Sequence, residues 1–229
     1  MIEPTHLAVT ASSSAALLAE SNHRIANNLA VVAGYLILQA NRTVREGGPL
    51  APCEVHSILS AASAKIAAAG NLHRMLTTSI EGVIDLGEYL EKVALGAMEA
   101  MTSPDRYEFE PQFERGCLVA SDQGLNLGLI IGELIINAIK HAHPTGTRGR
   151  IEAGCAAERN GVMVWVRDDG VGLPEGFDIA QDGGIGLRTL RLIAHQTGIH
   201  LDFASTEIGL TVQLRIPDAV VRPREAQIA

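Results

Sequence analysis

Val164-Trp165-Val166-Arg167-Asp168-Asp169-Gly170-Val171-Gly172-Leu173-Pro174 is the stretch on which the fold turns. Its apolar, β-branched start predicts a strand over Val162–Arg167. Two aspartates end the strand and spaced glycines follow. A carboxylate at a strand end can accept a hydrogen bond from an adenine amino group, and glycines let the backbone approach a ligand closely. A tight Asp-Gly turn has the same composition, so the segment gains meaning only from its neighbours.

Upstream stands Glu133-Leu-Ile-Ile-Asn137-Ala-Ile-Lys140-His141. Glu133 and Asn137 are four apart and share one helix face, with Lys140 and His141 close behind near the helix end. An amide oxygen on that face can ligate Mg²⁺, a hard cation that keeps waters and takes substrate phosphates. Lys140 and His141 can sit beside those phosphates. An ordinary amphipathic helix with a polar face would look the same in isolation. Downstream, Gly183-Gly184-Ile185-Gly186-Leu187 feeds a helix over Gly186–Gly198. Such a turn offers unpaired N–H groups and a positive dipole end to phosphate. No Lys-Ser/Thr follows Gly186, which excludes a Walker A loop, and the preceding strand and spacing do not fit a dinucleotide fingerprint.

Around these segments the pattern predicts a helix at Ile84–Met98, strand structure within Tyr107–Val119 and a helix at Leu125–His141. Further strands are predicted at Gly149–Ala153, Ile199–Ala204 and Leu210–Ile216. Mixed helices and strands, with the helices gathered on one face of a sheet, make this part α+β. The tail from Asp218 to Ala229 is expected to fray.

The first third differs. Leu18, Ile25, Leu29, Val32 and Leu36 form an apolar seam at coiled-coil spacing. After a break at Gly47-Gly48-Pro49, a second seam runs through Val55, Leu59, Ala62, Ile66, Ala69, Leu72 and Leu76. Two helices joined by a short Gly/Pro turn form an antiparallel hairpin. A lone hairpin leaves one apolar stripe uncovered, so a homodimer closing into a four-helix bundle is expected. His23 falls outside the seam, with Glu20 three residues before it and Asn27 four after, on one exposed stripe. A neutral imidazole is nucleophilic near pH 7, and Glu20 can orient it or take its proton. A solvated surface histidine would show the same exposure.

The 229 residues are expected to divide into a helical hairpin at 1–80, an α/β-sandwich nucleotide domain at 81–218 and a flexible tail at 219–229. A net charge of −8 argues against non-specific nucleic-acid binding, which needs a basic face. Cys53, Cys117 and Cys155 are too scattered for a metal motif and read as small buried residues in a reducing compartment. The longest apolar run, near Leu29–Leu38, is too short to span a bilayer, and the start lacks a basic region followed by an apolar core. These features predict a cytoplasmic chain without membrane insertion.

In their order and spacing, the three nucleotide segments resemble the ATP-binding domain shared by histidine kinases, gyrase-type ATPases, heat-shock chaperones and mismatch-repair ATPases. The resemblance implies that Asn137 holds Mg²⁺ and Asp168 reads adenine. It also implies that Gly170, Gly172, Gly184 and Gly186, with Glu133, Lys140, His141 and Leu187 around them, shape an ATP pocket. Glu20-Ser-Asn-His23-Arg24-Ile-Ala-Asn27-Asn28-Leu29 looks like the histidine box of the HWE-related sensor histidine kinases. Leu72-His73-Arg74-Met75-Leu76 and Ile84-Asp85-Leu86 resemble that group's second helix and linker. The likeness spans roughly residues 15 to 216.

It implies ATP-dependent autophosphorylation of His23 and transfer to an aspartate of a response-regulator receiver domain, with Asn27 serving reverse phosphatase chemistry. A separate sensor protein would then supply the signal. The chain departs from the group at Trp165-Val166-Arg167, where Trp-x-Glu is usual, and at Glu207-Ile-Gly-Leu-Thr211, where Gly-Thr is usual. Its segment from Leu173 to Gly183 is short for an ATP lid. A phosphotransferase relay without kinase activity is a competing reading, opposed by the intact nucleotide segments. A serine kinase of the anti-sigma-factor type is another, opposed by the hairpin with its histidine box.

Overall fold

The computed structural model describes residues 83–221 apart from 104, 180, 184, 218 and 219, together with scattered positions between 33 and 74. Every described position of that earlier stretch is helical. Among them Ile37, Val55, Leu59 and Ile66 are exposed, while Ala62 is buried.

From Val83 onward the elements run β1 (Val83–Asp85), α1 (Leu86–Met101), β2 (Tyr107–Phe113), β3 (Cys117–Ala120), α2 (Ser121–His141), β4 (Gly149–Glu158) and β5 (Gly161–Asp168). They continue with α3 (Ile185–Thr197), β6 (His200–Thr206), β7 (Gly209–Pro217) and β8 (Val220–Val221). Five strands form the main sheet in the order β2-β4-β5-β7-β6, parallel only between β2 and β4. A smaller antiparallel sheet joins β1, β3 and β8.

Strand period two sorts the main sheet into faces. Ile151, Ala153 and Cys155 of β4, Val162, Val164 and Val166 of β5, and Val212, Leu214 and Ile216 of β7 point inward. They share one core with Leu86, Leu90 and Val93 of α1, Ile131 and Ile135 of α2, and Leu190 and Ile193 of α3. The helices therefore cover one face, giving a two-layer sandwich. On the other face, Arg167 pairs with Glu152 at 3.7 Å and Arg150 with Glu110 at 3.4 Å. Trp165, the chain's single tryptophan, lies on that face over Gly154, whose absent side chain makes room for the indole. Cys117 and Cys155 are free and buried, and burial pushes the Cys155 thiol up to about 12.

Several boundaries differ from the sequence expectation: β4 runs on to Glu158 past Ala153, α2 starts at Ser121 rather than Leu125, and the stretch Tyr107–Val119 divides between two sheets. Ile84 belongs to β1 rather than to the helix after it, because Asp85 caps α1 by accepting the Glu88 N–H at 3.0 Å. The second oxygen of Asp85 accepts the Gly116 N–H at 2.7 Å, tying the cap to the turn before β3. Within the tail expected to fray, Val220 and Val221 pair with Leu118 and Cys117.

Candidate nucleotide site

The last turns of α2 carry the first segment. Glu133 is 6% exposed, Asn137 is half-buried, and Lys140 and His141 are exposed at the helix end. Crowding by the surrounding protein, ahead of the Lys140 charge, pushes the His141 imidazole below its ordinary value. It is therefore neutral at pH 7 while keeping an open side to solvent.

The third segment meets the first at the start of α3. A Cβ at Gly186 would stand 2.3 Å from Glu133 Oε2 and 4.0 Å from Asn137 Oδ1. The backbone of the first α3 turn thus lies directly against the two oxygen-bearing side chains of α2. The first N–H groups of a helix have no partner within it, and here they face the oxygens of α2, an edge suited to phosphate and a hard cation together. Arg188 ties the loop to the helix: its Nε donates to the Gly183 carbonyl at 2.9 Å and its Nη2 to the Gln181 carbonyl at 3.1 Å. Leu187 is half-buried beside Gly183.

The second segment meets the end of α2 from the sheet side. Val171 N–H donates to the Ala142 carbonyl at 2.9 Å, and a Cβ at Gly170 would come within 2.3 Å of that same carbonyl. Gly172 has φ of +67°, and a Cβ there would strike Thr206 O at 2.3 Å and Ser205 Oγ at 2.7 Å. The loop is therefore clamped between α2 and the β6–β7 hairpin.

Asp168 ends β5 and is 7% exposed. Its Oδ1 accepts the Gly170 N–H at 3.0 Å and the Leu210 N–H at 3.3 Å, and no described residue donates to Oδ2. Burial raises its pKa, against the lowering effect of those two backbone donors. A carboxylate with one oxygen held and the other unclaimed can accept a hydrogen bond from a base amino group.

No cluster of three or more His, Cys, Asp or Glu side chains among the described residues could cage a metal by itself. The oxygens that α2 does offer beside Gly186, those of Glu133 and Asn137, are of the kind Mg²⁺ takes, one or two from protein with waters and phosphates completing its shell. Asn137 Oδ1 faces the Gly186 backbone, where such an ion would be held.

The structure brings Glu133, Asn137 and Gly186 together, and sets Gly170 and Val171, just after Asp168, against Ala142 at the end of the same helix. Gly184 and the residues His23, Glu20 and Asn27 lie outside the described residues. Two contributors were missed by sequence reasoning. Leu210 donates through its backbone, which no side-chain motif can reveal. His143 contacts Asp169 at 3.1 Å across 26 positions of chain, a separation with no local periodicity to expose it.

A family model described as histidine kinase matches residues 20–101, and one described as histidine kinase-, DNA gyrase B-, and HSP90-like ATPase matches residues 122–220. The chain is 31% identical over 206 residues to the sensor histidine kinase PdtaS of Mycobacterium tuberculosis strain H37Rv. That match covers 88% of this chain and 39% of the relative. It is 26% identical over 211 residues to blue-light-activated histidine kinase 2 of Erythrobacter litoralis, covering 87% and 56%. The chain thus spans from about two fifths to just over half of the length of these curated relatives. In fold, it resembles the solved histidine kinase domain of the E. litoralis EL346 blue-light-activated kinase, with a TM-score of 0.67 at 23% identity. That likeness covers 87% of this chain and 92% of the other. With the one family model matching residues 20–101 and the other residues 122–220, the chain belongs to the histidine kinase family.

Proposed function

We propose that this chain is an ATP-dependent protein-histidine kinase that phosphorylates His23. The observation that carries the reading is the meeting of Glu133 and Asn137 with the Gly186 backbone, together with a strand-end Asp168 of which one oxygen takes no hydrogen bond from any described residue. Asp168 would take the adenine amino group, and the glycine turns would let the nucleotide lie against bare backbone. Asn137 would hold Mg²⁺, which when bound neutralises phosphate charge. Lys140, at the open end of α2, adds a cation on the phosphate side. A ring nitrogen of His23 attacks the γ-phosphorus, an N–P bond forms, the bond to the β–γ bridging oxygen breaks and ADP departs. The proton left on the ring would pass to Glu20, three residues away in sequence. Positioning and charge neutralisation supply most of the rate in such transfers.

The same reading gives a homodimer through the helical hairpin, with domains at 1–80 and 81–218. It includes onward transfer to an aspartate of a receiver domain, a separate protein as the source of the signal, and a cytoplasmic site of action, where ATP is supplied. Asn27 would position a water in the reverse reaction. No described helix is long and apolar enough to cross a membrane.

Mass-spectrometric site mapping after incubation with ATP and Mg²⁺ tests the proposal. Phosphate is expected on His23. His23→Ala should bind ATP with unchanged affinity and take up none, whereas Asn137→Ala should lose at least about 100-fold of the labelling rate, as expected when a group neutralising charge in transfer is removed. No label on the unaltered protein would instead favour a relay without kinase activity.

A further inference from the structure

The imidazole of His143 sits just past the end of α2, with its side chain 9% exposed. Nε2 stands 3.1 Å from Asp169 Oδ1, which also accepts the Arg150 N–H at 2.7 Å. The ring meets Tyr107 edge-on, with centroids 5.6 Å apart and planes at 69°. Tyr107 is fixed in turn by its hydroxyl, which donates to the Ile139 carbonyl at 3.0 Å. Gly149 forms the floor, where a Cβ would come 2.2 Å from the ring. The imidazole therefore has one place to be.

Its other nitrogen, Nδ1, is buried with no hydrogen-bond partner among the described residues. Leaving a buried polar atom unpaired is unfavourable. A phenyl ring would fill the same space without that cost, so what the imidazole alone contributes is the contact with Asp169. Asp169 follows Asp168 directly, and its N–H reaches the Arg150 carbonyl at 3.3 Å. Gly170, on its other side, supplies one of the two donors that hold Asp168 Oδ1. Asp169 thus links the end of the strand to the glycine whose N–H holds Asp168.

We infer that His143 is a positioning residue for base recognition, acting through Asp169 to fix the direction of the unclaimed oxygen of Asp168. The inference rests on the reading of Asp168 given above. It predicts that His143 sets the preference for adenine over a purine lacking the amino group.

The test is equilibrium binding of ATP and of ITP, each with Mg²⁺, to the full chain, by competition with a fluorescent nucleotide. Inosine carries an oxo group where adenine carries the amino group, so it cannot donate to Asp168. The unaltered protein should prefer ATP by about 10-fold or more, the scale of one well-placed hydrogen bond to a charged group. His143→Phe keeps a ring and removes the nitrogen that contacts Asp169, and should cut that preference by about 5-fold, through weaker ATP binding and a raised KM with kcat nearly unchanged. His143→Gln, which restores a donor, should recover part of the preference. A purely structural role for the ring would lower the melting temperature and leave the ATP-to-ITP ratio intact, and that result overturns the inference. If His143→Phe does not fold, Asp169→Ala removes the same contact, together with the acceptor for the Arg150 N–H, and should give at least the same loss; an unchanged ATP-to-ITP ratio there overturns the inference. Equal affinities for both nucleotides in the unaltered protein would overturn the Asp168 reading, and this inference with it.

Discussion

The carboxylate of Asp168 is held where water reaches it poorly, and the two N–H donors on one oxygen do not fully offset that loss. Its pKa in the folded chain therefore lies above the ordinary 3.8. The folded state then keeps a proton that the unfolded state has released, so stability falls as pH rises from about 4 through the raised value and levels off beyond it. Asp168→Asn removes this penalty. Its melting temperature should match the parent's near pH 4 and exceed it at pH 7, while nucleotide binding is lost because an amide donor now faces the base donor. Thermal unfolding followed across that pH range checks the sign. The motif around Asp168 was legible in the sequence because strand, carboxylates and glycines are contiguous. The His143–Asp169 contact was not, because the sheet register that brings Arg150, Asp169 and His143 together is a property of the fold.

At the scale of elements, two glycines separate packing from function. A Cβ at Gly87 of α1 would fall 2.0 Å from the Glu114 backbone carbonyl, which cannot step aside. Gly87→Ala should therefore cost about 3 kcal/mol despite the gain of about 1 kcal/mol in helix propensity. A Cβ at Gly186 would meet the end of the Glu133 side chain instead, which can rotate. Gly186→Ala should cost less than about 1 kcal/mol in folding yet weaken nucleotide binding about 10-fold or more, since the displaced carboxylate moves into the phosphate edge. Denaturant unfolding and nucleotide titration of both variants separate the two cases. The three longer helices and the long strands could be read from periodicity alone. Short β1 and β8 could not: three and two residues carry too little pattern, and each exists only because β3 lies alongside.

For the whole molecule, the expected architecture followed from the order and spacing of the three nucleotide segments, through their resemblance to a known ATP-binding domain. The stalk is a separate matter. Ile37, Val55, Leu59 and Ile66 are helical and exposed in the single chain, and burying such side chains is worth about 1.5–3 kcal/mol each. Sedimentation should find a dimer at micromolar concentration, and Leu59→Glu should shift it to monomer while nucleotide affinity is kept. The lone indole of Trp165 adds a practical consequence. It sits on the sheet surface turned away from Asp168. Its intrinsic fluorescence should follow melting of the domain faithfully and stay silent when a nucleotide enters, giving an optical gauge of folding that ligand occupancy does not contaminate.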